Sequence, residues 1–359
     1  MNLLTLRIQN LRCLSFVELE LDPAINVFVG DNGAGKTSVL EAAFLLSHAQ
    51  SFRSGSKDAL VQRDSSDLSV FADMQHANGR IAQLGLGYRA GRWSARVDGS
   101  SVSLGQLVHE CAAVCFDPGA HALIAGSAEH RRRYLNWGVF HVEPAFLEVW
   151  RRYHRALKQR NSLLRATTSQ EPAVFASWEM ELAETGTQID QQRQTYLERL
   201  TPHLQTSASC LLPELGQLEV RYRRGWPETP GLQAALGEQR GRDLARGHTS
   251  LGAHRADWSL EFETAPLREH LSRGQEKLVA LACILAQARL YAEERGEWPL
   301  VCLDDLASEL DRRHQEAVIT QLLAAGAQVL LSGTELSPAL QTASSAQFHV
   351  EQGAVKRLL

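Results

Sequence analysis

The sequence contains no apolar run long enough to span a lipid bilayer. The longest run, from Leu278 to Ala288, covers eleven residues and is interrupted by Gln287, whereas a membrane helix needs about 20 residues. The first residues carry Arg7 and Arg12 where a secretory signal peptide needs an unbroken apolar stretch. The sequence therefore predicts a soluble, cytoplasmic protein.

An excess of one charge is also missing. The chain carries 37 Lys and Arg residues against 41 Asp and Glu residues, for a net charge of −4. This balance excludes a uniformly basic protein that coats nucleic acid through bulk charge. The six cysteines are dispersed, and the two nearest, Cys111 and Cys115, do not have the spacing of a zinc or redox pair. We therefore expect reduced thiols.

The pattern of apolar residues changes along the 359 residues, a length that suits two domains. The first hundred residues alternate as strands do and include a buried strand at 25–29. Residues 143–212 predict a helical insertion of two or three long helices, with Pro172 and Pro202 at helix boundaries. The final third alternates helices with strands, predicted at 300–303 and 329–332, which indicates an α/β sheet.

The segment that follows the strand at 25–29 matches the phosphate-binding P-loop pattern. It consists of Gly30, Asp31, Asn32, Gly33, Ala34, Gly35, Lys36 and Thr37, and an amphipathic helix continues from Ser38. The glycines let backbone N–H groups turn around a phosphate, and the helix dipole favours the same anion. Lys36 would reach the β- and γ-phosphates, and Thr37 would place its hydroxyl on Mg²⁺. A simple glycine-rich turn is the alternative, which the flanking pattern disfavours.

Two acids follow the predicted strand at 300–303. Asp304 would hold Mg²⁺ together with Thr37, and Asp305 would polarise the attacking water as the catalytic carboxylate, beside Lys36. The alternative is a pair of strand-end aspartates that cap the next helix. The P-loop upstream favours the metal-binding interpretation.

The helix before this strand opens with Ser272, Arg273, Gly274 and Gln275. A serine hydroxyl, free N–H groups and a helix dipole all favour an anion. This start resembles the signature motif of ABC-type ATPases, which binds the γ-phosphate of ATP held by the other protomer. Residues 308–311 resemble the D-loop of the same family.

The resemblance implies an α/β fold, an ABC-type ATPase head with a mixed sheet around the P-loop. It also implies a mainly helical second lobe without a long coiled coil. We place the ATP-binding lobe at residues 1–115 and 295–359, and the helical lobe with the signature motif at 116–294. General ABC ATPases carry glutamate where this chain has Asp305, and the shorter carboxylate predicts a weak ATPase that acts as a switch.

More specific segments resemble the RecF family of bacterial recombination mediators. They lie at residues 51–53, 131–138, 157–161, 252–257 and 304–311. The 236-residue separation of Lys36 from Ser272 is too short for the coiled coils of SMC-like proteins. We add Arg12 and Ser38 to the candidate ATP-binding residues.

Membership of that family would imply a homodimer that closes head to tail over two ATP molecules. Such a dimer would bind single- and double-stranded DNA at gaps or junctions. With RecO and RecR it would promote loading of RecA and induction of the SOS response. An ABC-type ATPase that drives a transporter or a nuclease is the alternative, and stimulation of the ATPase by DNA separates the two.

The balanced net charge conceals a basic segment. Residues 131–165 carry nine Lys and Arg residues against two acids, a local charge of +7, and such clusters bind phosphates. The candidate DNA-binding residues are Arg131, Arg132, Arg133, Arg151, Arg155, Lys158 and Arg160. A solvated helix face is the alternative.

Overall fold

The chain forms two compact units in a computed structural model that describes residues 1–53, 57–166, 172–334 and 345–358. The first unit contains Met1–His121 and Arg273–Leu359, and the second contains Ala122–Ser272. The helix after Ser272 therefore lies in the first unit, whereas the sequence placed it in the helical lobe.

The elements are numbered in chain order. The strands are β1 (Asn2–Leu11), β2 (Leu14–Glu20), β3 (Ile25–Val29), β4 (Asp67–Gln75), β5 (Ile81–Arg89), β6 (Arg92–Val97), β7 (Ser100–Val102), β8 (Ala113–Phe116), β9 (Leu218–Arg223), β10 (Asp257–Phe262), β11 (Leu300–Leu303), β12 (Val329–Gly333), β13 (Ser345–Glu351) and β14 (Ala354–Arg357). The helices are α1 (Lys36–His48), α2 (Leu104–Glu110), α3 (Ala122–Ala125), α4 (Ala128–Val142), α5 (Phe146–Leu164), α6 (Pro172–Leu211), α7 (Leu232–Arg246), α8 (Arg273–Arg295), α9 (Leu306–Glu309) and α10 (Arg312–Ala324).

Two six-stranded sheets build the first unit. One is antiparallel, in the order β2-β1-β4-β5-β6-β7. The other has the order β14-β13-β3-β12-β11-β8, in which only β14 is antiparallel to its neighbour. The strands β3, β11 and β12 are mostly apolar because they are buried on both faces; the polar exceptions are Asn26 in β3 and Ser332 in β12.

Helix α1 contacts strands of both sheets and is buried along almost its whole length. Most of its residues are therefore apolar, with Ala42, Leu45 and Leu46 inaccessible to solvent. The polar Gln328 joins the two sheets near one end of this core. Its side chain accepts from the Leu3 N–H at 2.6 Å and donates to the Leu3 carbonyl at 2.9 Å.

The second unit is mainly helical, and the 40-residue α6 is its central element. This helix packs against α4, α5 and α7 and against β9, which pairs with β10. Leu182, Ile189 and Tyr196, which share helical spacing in the sequence, are all buried. Helices α4 and α6 approach closely at Gly138, where a Cβ atom would lie 2.1 Å from the Tyr196 hydroxyl.

The strand predictions at 25–29 and 300–303 are confirmed, and the prediction that Pro202 ends a helix is wrong. Strands β3 and β11 have the predicted bounds. Pro172 is the first described residue of α6, and because residues 167–171 lie outside the described part of the chain, a helix boundary there stays a prediction. Pro202, however, lies inside α6 and ends no helix. No helix within the described residues has both the length and the apolar character needed to cross a membrane.

Candidate nucleotide-binding site

The site lies at the carboxyl edge of the mixed sheet. Strand β12 pairs in parallel with both β3 and β11, so these three strands end on the same side. The P-loop follows β3 and the acids Asp304 and Asp305 follow β11. Crevices at the carboxyl ends of parallel strands are where open α/β sheets bind ligands, and here they unite segments nearly 270 residues apart, as in the Thr37–Asp304 contact.

The P-loop can adopt its path only with glycine at particular positions. A Cβ atom at Gly30 would lie 2.0 Å from the Val350 carbonyl oxygen. Gly35 has φ +119° and packs against the turn between β1 and β2, where a Cβ atom would meet Leu14 at 2.9 Å and Cys13 at 3.0 Å. The positive φ and the close packing explain why the motif requires glycine there.

The start of α1 presents donors to an anion. Its N-cap is Gly35, which has no side chain to occupy the first N–H groups. Lys36 is only 7% exposed, and its ammonium donates to the carbonyls of Gly30 at 2.7 Å and Asp31 at 2.8 Å. These bonds hold the ammonium at the loop beside the start of α1, a position that favours an anion such as a phosphate.

Thr37 and Asp304 are brought together as the metal-site prediction requires. The Thr37 hydroxyl donates to Asp304 Oδ1 at 2.8 Å, and the Ser332 hydroxyl donates to the same oxygen at 2.6 Å. Burial raises the pKa of Asp304 above its ordinary value, and the two hydroxyls oppose that rise. A cation at this position would restore the ionised carboxylate.

A hydroxyl and one carboxylate suit Mg²⁺ in a nucleotide site, because Mg²⁺ takes its other ligands from phosphates and water. The described residues contain no cluster of three or more His, Cys, Asp or Glu that could hold a metal by itself. Thr37 and Asp304 are therefore the protein ligands that fit a magnesium ion shared with ATP.

Asp305 adopts the left-handed conformation, with φ 53° and ψ 39°, at the start of α9. Its N–H donates to the Ser332 hydroxyl at 3.0 Å, and its carboxylate accepts the Ser308 hydroxyl at 2.5 Å. It occupies the N-cap position, but its side chain does not cap α9. Asp305 is therefore fixed by a bond from the D-loop residue Ser308.

Two polar residues of this edge escaped the sequence analysis. Ser332 bonds both Asp304 and Asp305, and Asp117 follows the adjacent strand β8. Burial raises the pKa of Asp117 to about 6, and the neighbouring Asp304 adds to the effect. Their positions at the ends of β12 and β8 were the available signal, because both strands end beside β11.

Arg12 pairs with the helix that carries the P-loop. Its guanidinium makes two bonds to the fully buried Glu41 of α1, at 2.9 and 2.8 Å, and donates to the Ala59 carbonyl at 2.7 Å. Arg53 lies 3.7 Å from the same carboxylate. The arginines neutralise Glu41 and secure the turn between β1 and β2 beside the P-loop. A contact from Arg12 to ATP stays a prediction, and so does one from Ser38, which is buried in the first turn of α1.

The signature residues lie at the start of α8. Ser272 directly precedes the helix, and Arg273, Gly274 and Gln275 form its first turn. Ser272, Arg273 and Gly274 are exposed. Two positions beyond Gln275, Lys277 makes an ion pair with Glu309 of α9 at 2.5 Å, which links the signature helix to the D-loop.

The candidate DNA-binding residues differ in their surroundings. Arg151, Arg155 and Lys158 are exposed on α5. Arg131 is held by Asp257 through bonds of 2.7 and 3.0 Å. Arg160 is 0% exposed, and this burial corrects its assignment to a DNA-binding surface.

The chain is similar to known proteins over almost its whole length. Residues 2–352 match the family model described as RecF/RecN/SMC N terminal domain. A DNA replication and repair protein RecF from Xanthomonas euvesicatoria pv. vesicatoria (strain 85-10) is 47% identical over 365 residues, covering 99% of each chain. The corresponding protein of Pseudomonas putida is 38% identical and covers 99% of this chain and 98% of its own.

The fold is also similar to that of a solved structure. A solved structure described as the recombination mediator protein RecF with ATP in the RecFOR pathway has a TM-score of 0.90 and 26% identity, covering 100% of this chain and 98% of that chain. The expected ATPase-head fold is confirmed.

Proposed function

Because the chain belongs to the RecF family of DNA replication and repair proteins, we propose that it is an ATP-gated DNA-binding protein. In this proposal two copies close head to tail over two ATP molecules and bind DNA, and hydrolysis reopens the pair. The protein would act in the cytoplasm, in recombinational repair and in maintenance of replication forks.

One observation carries the ATP-gated pairing. The P-loop side of an ATP site is assembled within one chain by Lys36, Thr37 and Asp304, while the signature residues Ser272 and Gly274 are exposed at a helix start. A γ-phosphate held by one copy can therefore meet an open helix N-terminus of another. Since ATP then lies between the copies, its binding shifts the equilibrium toward the pair.

The residues divide the work of hydrolysis. Lys36 and the N–H groups of the loop bind and orient the phosphates, and Thr37 and Asp304 hold Mg²⁺, which neutralises phosphate charge. Asp305 accepts a proton from the attacking water once its carboxylate is turned from Ser308. The short aspartate side chain and its bond to Ser308 both favour slow turnover, stimulated when DNA stabilises the closed pair.

The exposed cations of the second unit support DNA binding. Arg151, Arg155 and Lys158 follow the 4- and 3-residue spacing of one helix face, and no carboxylate among the described residues forms an ion pair with them. Such a face contacts the phosphate backbone and carries no sequence information. We therefore expect binding to single- and double-stranded DNA, including gaps and junctions, that weakens steeply with salt.

The partners are proposed from the relatives. A structural relative is described as the recombination mediator protein RecF of the RecFOR pathway. By that likeness this chain would act with RecO and RecR to promote the loading of RecA and induction of the SOS response.

Solution mass by light scattering, with Mg²⁺ alone, with ADP and with ATP, tests the proposal. We expect the mass to double only with ATP. Lys36→Arg should abolish the doubling, and Ser272→Arg should abolish it while leaving ATP bound to the single chain. Ser101→Arg, at another exposed serine on the edge strand β7, is the matched control and should pair normally.

Two results would contradict this scheme. An unchanged mass with ATP bound would remove the head-to-tail pair. Loss of ATP binding by the unpaired Ser272→Arg chain would show that Ser272 contributes to the ATP site of its own chain and not to that of the other copy.

A further inference from the structure

The second unit contains a solvent-open cavity of about 710 Å³ that the ATP site does not use. It lies between the start of α4, the end of β9 with the loop after it, and the segment 251–255. Its volume falls within the range of about 300–1,000 Å³ that is typical of small-molecule sites. A discrete chemical group therefore fits it better than a continuous duplex does.

Three arginines line this cavity, namely Arg132, Arg223 and Arg255. The single acid among the lining residues, Glu129, is ion-paired with Arg133. Among the described residues, no carboxylate lies within ion-pair distance of any of the three arginines. The cavity therefore carries an excess of positive charge.

Backbone carbonyls, and not acids, position the guanidinium groups of Arg132 and Arg255. Arg132 donates to the Ala256 carbonyl at 2.9 Å, and Arg255 donates to the Thr249 carbonyl at 3.4 Å. Asp257 lies opposite Arg223 in the β9–β10 register, but its carboxylate makes two bonds to Arg131. Burial and the nearby Arg193 lower the pKa of Arg132, although Asp257 and Glu129 partly oppose the shift.

The helix α4 adds a further element that favours anions. The lining includes Ser127 and Ala128, the N-cap and first residue of this 15-residue helix. The Ser127 side chain makes no capping bond. The start of α4, where the N–H groups have no partner within the helix and the dipole is positive, therefore borders the cavity and favours an anion there.

Trp226 supplies an aromatic wall beside the three arginines and the apolar Pro227 and Leu251. The Arg224 guanidinium lies 6.0 Å from the centre of its ring. Aromatic rings in basic sites stack against nucleobases, and Arg groups bind phosphates with charge-assisted bonds. Together they match the two parts of a nucleotide.

We propose that this cavity binds a single nucleotide unit, with its phosphate on Arg132, Arg223 and Arg255 and its base against Trp226. The unit comes either from a free nucleotide or from the phosphorylated end of a DNA strand. This second nucleotide site lies entirely in the helical unit and does not depend on ATP-driven pairing.

The test uses the full-length chain in EDTA, with thymidine 5′-monophosphate and a 5′-phosphorylated thymidine tetramer as probes. Isothermal titration calorimetry measures both affinities. We expect Arg223→Gln to weaken binding of the favoured probe about tenfold or more, as for loss of a charge-assisted bond, and Trp226→Leu to weaken it as well. Arg221→Gln removes an arginine from the same strand that pairs with Glu261 instead, and should change affinity less than twofold.

The P-loop variant Lys36→Arg separates this proposal from the ATP-gated pair, because it should lose the pairing and keep the probe affinity. Dependence on Arg223 with the monophosphate alone would identify a free nucleotide, and preference for the tetramer would identify a strand end. Equal affinities of the wild type and Arg223→Gln would overturn the proposal. Arg223-dependent binding of tetraglutamate with no binding of either nucleotide probe would also overturn it, in favour of an acidic peptide.

Discussion

At the scale of single residues, buried charges in this protein are held by partners distant in sequence. Glu41 is fully buried and bonded to Arg12, and Arg160 is fully buried and bonded to Asp243. The P-loop residues were predictable because their pattern is local. The burial of Glu41 and Arg160 was not predictable. Charged residues in a helix are usually solvent-exposed, and the partners of these two are distant in sequence.

The buried His254 predicts a pH-dependent stability. His254 Nδ1 lies 2.7 Å from the Tyr153 hydroxyl, and Nε2 donates to the Thr249 carbonyl at 3.0 Å. Burial lowers its pKa from 6.5 to about 4. The neutral ring therefore stabilises the fold above pH 6.5, and this stability is lost as the pH falls toward 4.

We expect the lowered pKa of His254 to contribute a fall of about 3 kcal/mol in the free energy of unfolding between pH 7 and pH 4. His254→Gln removes the titrating ring and should remove that part of the fall. Urea unfolding of both proteins across this range measures the difference, which isolates His254 from other titrating groups. Parallel profiles of the two proteins would refute the assignment.

At the scale of elements, Arg160 ties three helices together. It extends from α5 to Glu179 of α6 at 3.1 Å, and to Asp243 of α7 at 2.8 Å. Its guanidinium also donates a hydrogen bond to the Thr249 hydroxyl at 2.8 Å. The sequence assigned Arg160 to a DNA-binding face because it lies in a basic stretch, but its position in α5 faces the core beside Ala156.

Arg160→Met should destabilise the protein by about 3–5 kcal/mol, because it leaves the buried Asp243 carboxylate without its ion-pair partner and leaves Glu179 with Arg240 alone. Arg155→Met, at an exposed position on the same helix, should change stability by less than about 0.5 kcal/mol. Thermal and urea unfolding measure both. Equal stabilities of the two variants would show that the buried carboxylates find other partners.

The elements themselves were largely predictable, with an informative exception in α6. Strands β3 and β11 are short apolar runs between turn signals, so their bounds could be read from the sequence. Pro202 was read as a helix end because proline lacks an N–H group. The helix continues through it because Leu200 and Leu204 on either side are buried in the core, so that packing overrides the local preference.

At the scale of the whole molecule, the first unit is assembled from both ends of the chain. The P-loop and the acids at 304–305 implied this arrangement, because one nucleotide site needs both. The boundary at α8 was not predictable, since the apolar residues of this helix fit a helical lobe equally well. Its contacts with β8 place it in the first unit.

Opening of the proposed pair should depend on Asp305. Asp305→Asn keeps the shape of the side chain but removes the base, so ATP turnover should fall by about 100-fold or more while the ATP-bound pair accumulates. Asp64→Asn is a matched control, because Asp64 is exposed and also has a positive φ, 67°. Steady-state hydrolysis and solution mass are the two readouts. Normal turnover in Asp305→Asn would exclude Asp305 as the group that activates water.

The burial of α1 between two sheets determines where the energy of ATP binding can be used. The loop that would receive the phosphates leads directly into this buried helix and packs closely against Val350, Cys13 and Leu14. It is therefore preorganised, and ATP gains little by deforming it. The free energy of ATP binding is therefore available for association with a second surface at the nucleotide. Such a site suits a protein that closes when ATP binds, rather than one that converts repeated hydrolysis into movement.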